Sequence, residues 1–164
     1  LPGGKLAKGA PADLVVFDPD YAWRVDRDEL WSKTKNTPFD ERPVQGRVMA
    51  YLAAYDSMMG KVTQLHGEFE PAPHPDTLYL HDLAVLPELG GQGMAARLLR
   101  TLWQGAQSRG LQRAALVSVQ GSQGFWQHHG YVAYTLQDTA QRERLAAYGR
   151  DAVYMMRRLD SAPL

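Results

Sequence analysis

The chain has 164 residues, 45% hydrophobic and 22% charged, with 18 basic and 18 acidic side chains. That length builds one domain with its own core, and the balanced charge argues against a broad nucleic-acid surface, which needs clustered positive charge. The lack of cysteine excludes disulfides, thiolate zinc sites and a cysteine nucleophile, and no run of ~18 apolar residues is available to span a membrane. No basic-plus-apolar signal segment opens the sequence, so a cytoplasmic location is expected. The first residue is Leu1 rather than Met, as in a chain that is processed, trimmed or part of something longer.

Residues 12–20, ADLVVFDPD, read as a short strand ended by an Asp-Pro-Asp turn. Residues 26–35, DRDELWSKTK, suit one or two helical turns capped by Asp26. Two prolines make 36–46 irregular. Residues 47–56, RVMAYLAAYD, fit strand or helix, and the bounding Gly46 and DSMMG favour a strand. Residues 57–76 read as loop, with three prolines from Pro71 to Pro75.

TLYLHDLAVL, residues 77–86, is too short and β-rich for a helix, and its nearly unbroken apolar character predicts an interior strand. Alternation along it sets Tyr79, His81, Leu83 and Val85 on one face and Asp82 on the other. In residues 93–110, Met94, Leu98, Leu99, Leu102 and Ala106 recur at helical spacing, and Gly110 supplies the stop. Residues 111–119 read as a strand, 122–130 as a short helix closed by Gly130, and 131–136 and 152–159 as two more strands. The helix over 93–110 is long enough to cross between parallel strands, which gives an α/β (α+β) fold.

The stretch LPELGGQGMAARLL joins the third strand to that helix. N–H groups at a helix start lack internal partners and can receive an anion. Glycines let a phosphate come close. Gly91, Gln92, Gly93, Met94 and Ala95 would supply the amides. No lysine followed by Ser or Thr completes a P-loop, and Ala96 breaks the G-x-G-x-x-G spacing begun by Gly91 and Gly93. The glycines alone fit a plain turn as well as a cradle.

LAVLPELGGQGMAARLL nevertheless resembles the coenzyme A signature of the GNAT acyltransferases, a strand ending Leu-Ala-Val, a proline, then Arg/Gln-x-x-Gly-x-Gly/Ala and a helix. Leu83, Ala84, Val85, Pro87, Gly93 and Ala95 match; Gly90 stands where the family has Arg or Gln. Downstream, GFWQHHGYV resembles the family's Phe-Tyr-x-x-x-Gly-Phe segment through Phe125, Gly130 and Tyr131, and GRVMAYLAAYD resembles its preceding strand. The resemblance runs over about residues 46–159. It implies acetyl transfer from acetyl-CoA to a primary amine of a small molecule, without metal and without a covalent enzyme intermediate. It also implies a mixed, twisted sheet with flanking helices and two splayed central parallel strands with the thioester between them, here with atypical N-terminal elements. The pyrophosphate would sit on Gly90–Ala95, the pantetheine arm along Leu83, Ala84 and Val85, and Ser122, Phe125 and Trp126 would complete the cofactor side.

An attacking amine must be neutral, so a base or water relay is useful. His81 titrates near neutrality and matches a working histidine of some arylalkylamine-type relatives. It reads equally as a histidine packed beneath a loop. Asp82 is the alternative base or a supporting partner. The family's acid, a tyrosine after the Phe of the second helix, is replaced by Trp126, whose indole cannot usefully release its proton. Tyr131 and Tyr134 are weaker substitutes for the acid. His128 and His129 read as exposed helix-end residues rather than metal ligands, since adjacent helical residues point apart.

Residues 1–48 resemble a different family, the C-terminal end of dihydroorotase. The resemblance rests on Gly9, Ala12-Asp13-Leu14, Asp18-Pro19, Trp23, Ser32-Lys33, Asn36-Thr37-Pro38-Phe39 and Gly46. That enzyme's metal-binding barrel has no counterpart, and no His-x-His occurs, so its activity is not expected. The expected organisation is a dihydroorotase-like segment over 1–45 and a GNAT-like acetyl-CoA-binding domain over 46–164, in a monomer or homodimer. DLVVF would take the place of the family's first strand and RDELWSKTK that of a helix. The alternatives are a GNAT-like module that holds coenzyme A with little turnover, and an inactive dihydroorotase-derived fusion.

Overall fold

The computed structural model describes residues 12–29 and 37–160. In chain order its elements are β1 (Ala12–Arg24), β2 (Pro43–Ser57), β3 (Thr77–Val85), α1 (Met94–Ser108), β4 (Arg113–Ser118), α2 (Gln123–His128), β5 (Val132–Ala133), α3 (Thr139–Ala146) and β6 (Val153–Arg158). The strands form one sheet in the order β1-β2-β3-β4-β6-β5. Every neighbouring pair is antiparallel except β3 with β4, and α1 is the crossover that a parallel pair requires. The mixed α+β class expected from the sequence is the one observed.

Both faces of the sheet are covered. Leu98, Leu99, Leu102, Trp103 and Ala106 of α1 are buried against Leu52, Leu78, Leu80, Leu116 and Met155 of the strands. On the other face Tyr55, Tyr79 and Tyr154 pack with Val62 and Leu136, flanked by Phe69, Leu145 and Tyr148. The loop over 58–76 and α3 thus form the second layer. No helix among the described residues is long and apolar enough to cross a membrane.

The front segment belongs to the sheet. β1 pairs with β2 from Ala12↔Ala54 to Arg24↔Pro43, so DLVVF lies in the position of a first strand. The strand does not stop at Asp18-Pro19-Asp20 as the turn signal predicts. The ladder jumps there, between Asp18 and Ala22, Asp20 N–H donates to Asp18 Oδ1 at 2.9 Å, and the strand resumes. A proline is tolerated because β1 is an edge strand. Of DRDELWSKTK only a 3-10 turn, Arg27–Glu29, is described, with Asp28 N–H donating to Asp26 Oδ1 at 2.8 Å. Residues 30–36 lie outside the described residues.

Gly46 is the pivot of this hairpin. Its φ is +93°, and an added Cβ would stand 2.3 Å from Phe17 Cζ. Trp23 Nε1–H donates to the Gly46 carbonyl at 2.9 Å. Gly46→Ala should therefore cost about 1–3 kcal/mol, mainly left-handed backbone strain, because the half-exposed Phe17 ring can move aside. Urea unfolding measures it, and the cost should persist when Phe17→Ala is added, since backbone strain does not depend on the ring.

Two elements differ from expectation. Of the strand predicted over 131–136, Val132–Ala133 pairs with β6, Tyr134 N–H adds one bond to the Tyr154 carbonyl, and Tyr131 is buried. α3 was not expected, because Gln141 is its single buried residue and it carries no apolar stripe. Its signal was the cap, with Asp138 Oδ1 accepting from Ala140 N–H at 2.8 Å. Gln141 Oε1 in turn accepts Val62 N–H at 2.8 Å and ties α3 to the long loop.

Candidate active site

β3 and β4 pair only at Thr77–Arg113, Leu78–Ala114 and Tyr79–Ala115. Beyond that point they separate, as the splayed pair requires, and a cleft of about 750 Å³ opens between Leu80–Val85 and Leu116–Val119. Ligand clefts of α/β sheets lie beyond the carboxyl ends of such strands. The glycine turn closes one end of the cleft, and Ser122, Phe125, Trp126, His128 and His129 of the α2 region form its remaining wall.

The turn has the properties of an anion cradle. The first bond of α1 runs from Arg97 N–H to the Gly93 carbonyl at 3.0 Å, so the amides of Met94, Ala95 and Ala96 stand free of the helix ladder. Gly93, the residue before the helix, has φ 74° and ψ 11°, and Gly91 also has φ 74°. A Cβ at either would meet no protein atom within 4 Å: their surroundings are open. Gly90 differs. Its φ is −56°, its N–H donates to the Pro87 carbonyl at 2.9 Å, and a Cβ there would approach that carbonyl oxygen to 2.9 Å. An Arg or Gln would not fit this turn unchanged.

Two residues of the expected cofactor set do not line the cleft. Gln92 does not line the cleft; its N–H is used by the Leu89 carbonyl at 3.2 Å and its side-chain amide by the Glu88 carbonyl at 2.8 Å. Ala84 is also absent from the lining, between Leu83 and Val85, which line it, and the contact expected along this edge is one of backbone groups. Gly90, Gly91, Gly93, Met94, Ala95, Ser122, Phe125 and Trp126 do line it. Ala96 and the β4 wall, Leu116, Val117, Val119 and Gln120, were missed. The parallel topology was the signal that could have found that wall.

The largest difference lies at His81. Along the β2 edge, consecutive residues Ala53 and Ala54 face Asp82 and Leu80, so β3 carries one extra residue, His81. This β-bulge shifts the phase of the strand. Leu78 and Leu80 before it and Leu83 and Val85 after it all pack toward α1. Tyr79 and His81 therefore share the opposite face with Asp82, whereas alternation had separated His81 from Asp82. Both line the cleft mouth. The His81 ring stands edge-on to Phe69 at 4.9 Å. Its partial burial holds the imidazole pKa below the ordinary value, against a smaller upward pull from the Asp82 carboxylate. Asp82 accepts a hydrogen bond from the Tyr51 hydroxyl. That bond, then burial, pushes the Tyr51 phenol up to about 12.

Tyr131 is corrected as an acid candidate. It is buried beneath α1, its hydroxyl accepts from Trp103 Nε1–H at 3.2 Å, it does not line the cleft, and burial drives its pKa far upward. Tyr134 N–H continues the β5–β6 edge by donating to the Tyr154 carbonyl. Trp126 is buried against Phe125 and Tyr131. Of the helix-end histidines only His128 is exposed as expected. His129 packs 4.6 Å from Phe125, and burial lowers its pKa. Among the described residues no group of three or more His, Asp or Glu side chains could hold a metal ion.

A parallel pair splayed beside a helix-capping glycine turn, with a bulge in one of its strands, forms a cleft at the carboxyl ends of the strands. The sequence profile of the Acetyltransferase (GNAT) family matches residues 11–131, more than half of the chain, and the chain belongs to that family. The match begins at residue 11, ahead of the boundary expected at residue 45. Among solved structures, Tetrahymena GCN5 superposes with a TM-score of 0.50 at 9% identity, covering 72% of this chain and 65% of that one. N-acetylglutamate synthase from Neisseria gonorrhoeae, complexed with coenzyme A and N-acetyl-glutamate, gives a TM-score of 0.50 at 19% identity, covering 70% and 24%. These likenesses show the fold. A second similarity is to dihydroorotases, 51% identical over 49 residues for Anaplasma phagocytophilum and 45% over 62 residues for Geotalea daltonii. It takes in 30% and 38% of this chain and only 11% and 13% of those enzymes.

Proposed function

We propose that the chain transfers an acetyl group from acetyl-CoA to a primary amine of a small molecule, with His81 as the base. The observation that carries this reading is the cleft itself, with free amides at one end and a histidine held neutral on a bulge at the other. The amides of Gly91, Gly93, Met94 and Ala95 would hold the pyrophosphate. The pantetheine arm would run between the separated edges of β3 and β4, where backbone groups no longer pair with each other. Acetyl-CoA supplies an activated thioester carbonyl. A neutral amine attacks it, the C–N bond forms, the C–S bond breaks, and the thiolate departs with the electron pair. His81 takes the proton from the amine nitrogen. A thiolate, with a parent pKa near ~8.5, leaves without an acid, which suits a cleft where Trp126 replaces the family's tyrosine. In this reading the front segment, a dihydroorotase-like piece over 1–45 ahead of an acetyl-CoA-binding domain over 46–164, serves as the family's first strand.

Titration with acetyl-CoA followed by a thiol-release assay across an amine panel tests the reading. Saturable binding and amine-dependent thiol release are expected. Binding without release would favour a module that holds coenzyme A, a reading supported by the missing acid at Trp126. Absence of binding would overturn both.

A further inference from the structure

We propose that Asp82 and Tyr51 form a cation-recognition site at the cleft mouth, selecting acceptors that carry a second positive charge beside the reacting amine, as an aliphatic diamine does. This deepens the acyltransferase reading and rests on it. The bulge sets Asp82 on the same face as His81, and both side chains reach the cleft. The Tyr51 hydroxyl fixes the carboxylate from β2 and occupies one of its several acceptor positions, leaving others for a ligand. Tyr51 itself lies beside the cleft lining rather than in it and is 38% exposed, and an exposed tyrosine beside a carboxylate suits an ammonium group. Among the described residues Asp82 has no ion-pair partner, while Arg47, on the same strand as Tyr51, is engaged by Glu88 at 3.3 Å.

The chemistry separates two nitrogens. The attacking nitrogen must be neutral. A carboxylate bound to it would favour its charged form and oppose His81. Asp82 therefore helps only if it holds a different nitrogen. An acceptor with one amine gives the two side chains conflicting tasks. An acceptor with two gives each its own.

The test is calorimetric titration of the coenzyme A-saturated protein at pH 7 with 1,4-diaminobutane and with 2,2,2-trifluoroethylamine, an amine that is mostly neutral at that pH. The diamine is expected to bind roughly tenfold more tightly, the combined size of a partly exposed ion pair and a cation–π contact. Asp82→Asn should erase that preference and Tyr51→Phe should reduce it, with thermal unfolding confirming that each variant folds. Equal binding of the two amines by the parent protein, or a preference retained in Asp82→Asn, would overturn the proposal. The titration reads binding rather than turnover and is repeated without coenzyme A. Failure of acetyl transfer therefore leaves its outcome readable.

Discussion

Exchange of Gly93 for valine is expected to weaken acetyl-CoA binding roughly a hundredfold. Gly93 stands at φ 74° directly before α1, a left-handed conformation that a β-branched residue adopts only under strain of about 1–3 kcal/mol. The added side chain would meet no protein atom at its Cβ, so the clash falls on whatever occupies the open side of the turn. Relief of the backbone strain would also rotate the Met94 and Ala95 amides out of alignment. Loss of two charge-assisted hydrogen bonds at about 1.5 kcal/mol each is about 3 kcal/mol, or roughly a hundredfold in Kd. Gly93→Ala should fall between the parent and the valine variant. Calorimetric titration gives the affinities, and circular dichroism reports whether α1 persists. An unchanged Kd in a folded Gly93→Val protein would sink the cradle.

Much of this site was legible because its signals are local. The spacing from Met94 to Ala106 defines a helix whichever strands it covers. The glycines before it mark a turn that approaches something closely. The parallel crossover follows from the length of that helix. What could not be read depends on partners distant in sequence. The bulge at His81 is a mismatch between two strands, and alternation within one strand assumes that the ladder is unbroken. Whether an amide in the turn is free depends on carbonyls at Leu89 and Pro87, and the sequence does not show that the Gln92 N–H is taken up by Leu89. Tyr131 has the chemistry of an acid but lies under Trp103. α3 is held by a cap and by Gln141 rather than by an apolar stripe, so periodicity passes over it. The hairpin of β1 and β2 hides its logic similarly: Phe17 and Trp23 both meet Gly46 across the strands.

His81→Gln is expected to lower kcat/KM by roughly 10²- to 10⁴-fold, the usual contribution of a positioned base, and to remove the acid limb of its pH profile. Partial burial against Phe69 lowers the His81 pKa below 6.5. The imidazole is then neutral and able to accept a proton at pH 7, and activity falls as the pH drops through its folded pKa. A weakly basic arylamine is the right acceptor for this measurement, because the amine's own titration then lies below the window. Stability follows the same sign. A base whose folded pKa is depressed binds more protons when unfolded, so stability is lost as the pH falls below about 6.5. His129 is shifted in the same direction, and His81→Gln should remove only its own share of that loss. Asp82→Asn separates the two candidate bases. Asp82 opposes the downward shift of His81, so its removal should move the acid limb to lower pH while leaving catalysis in place. If Asp82→Asn instead abolishes turnover and His81→Gln leaves the acid limb intact, the carboxylate is the base and the histidine is packing beneath the loop.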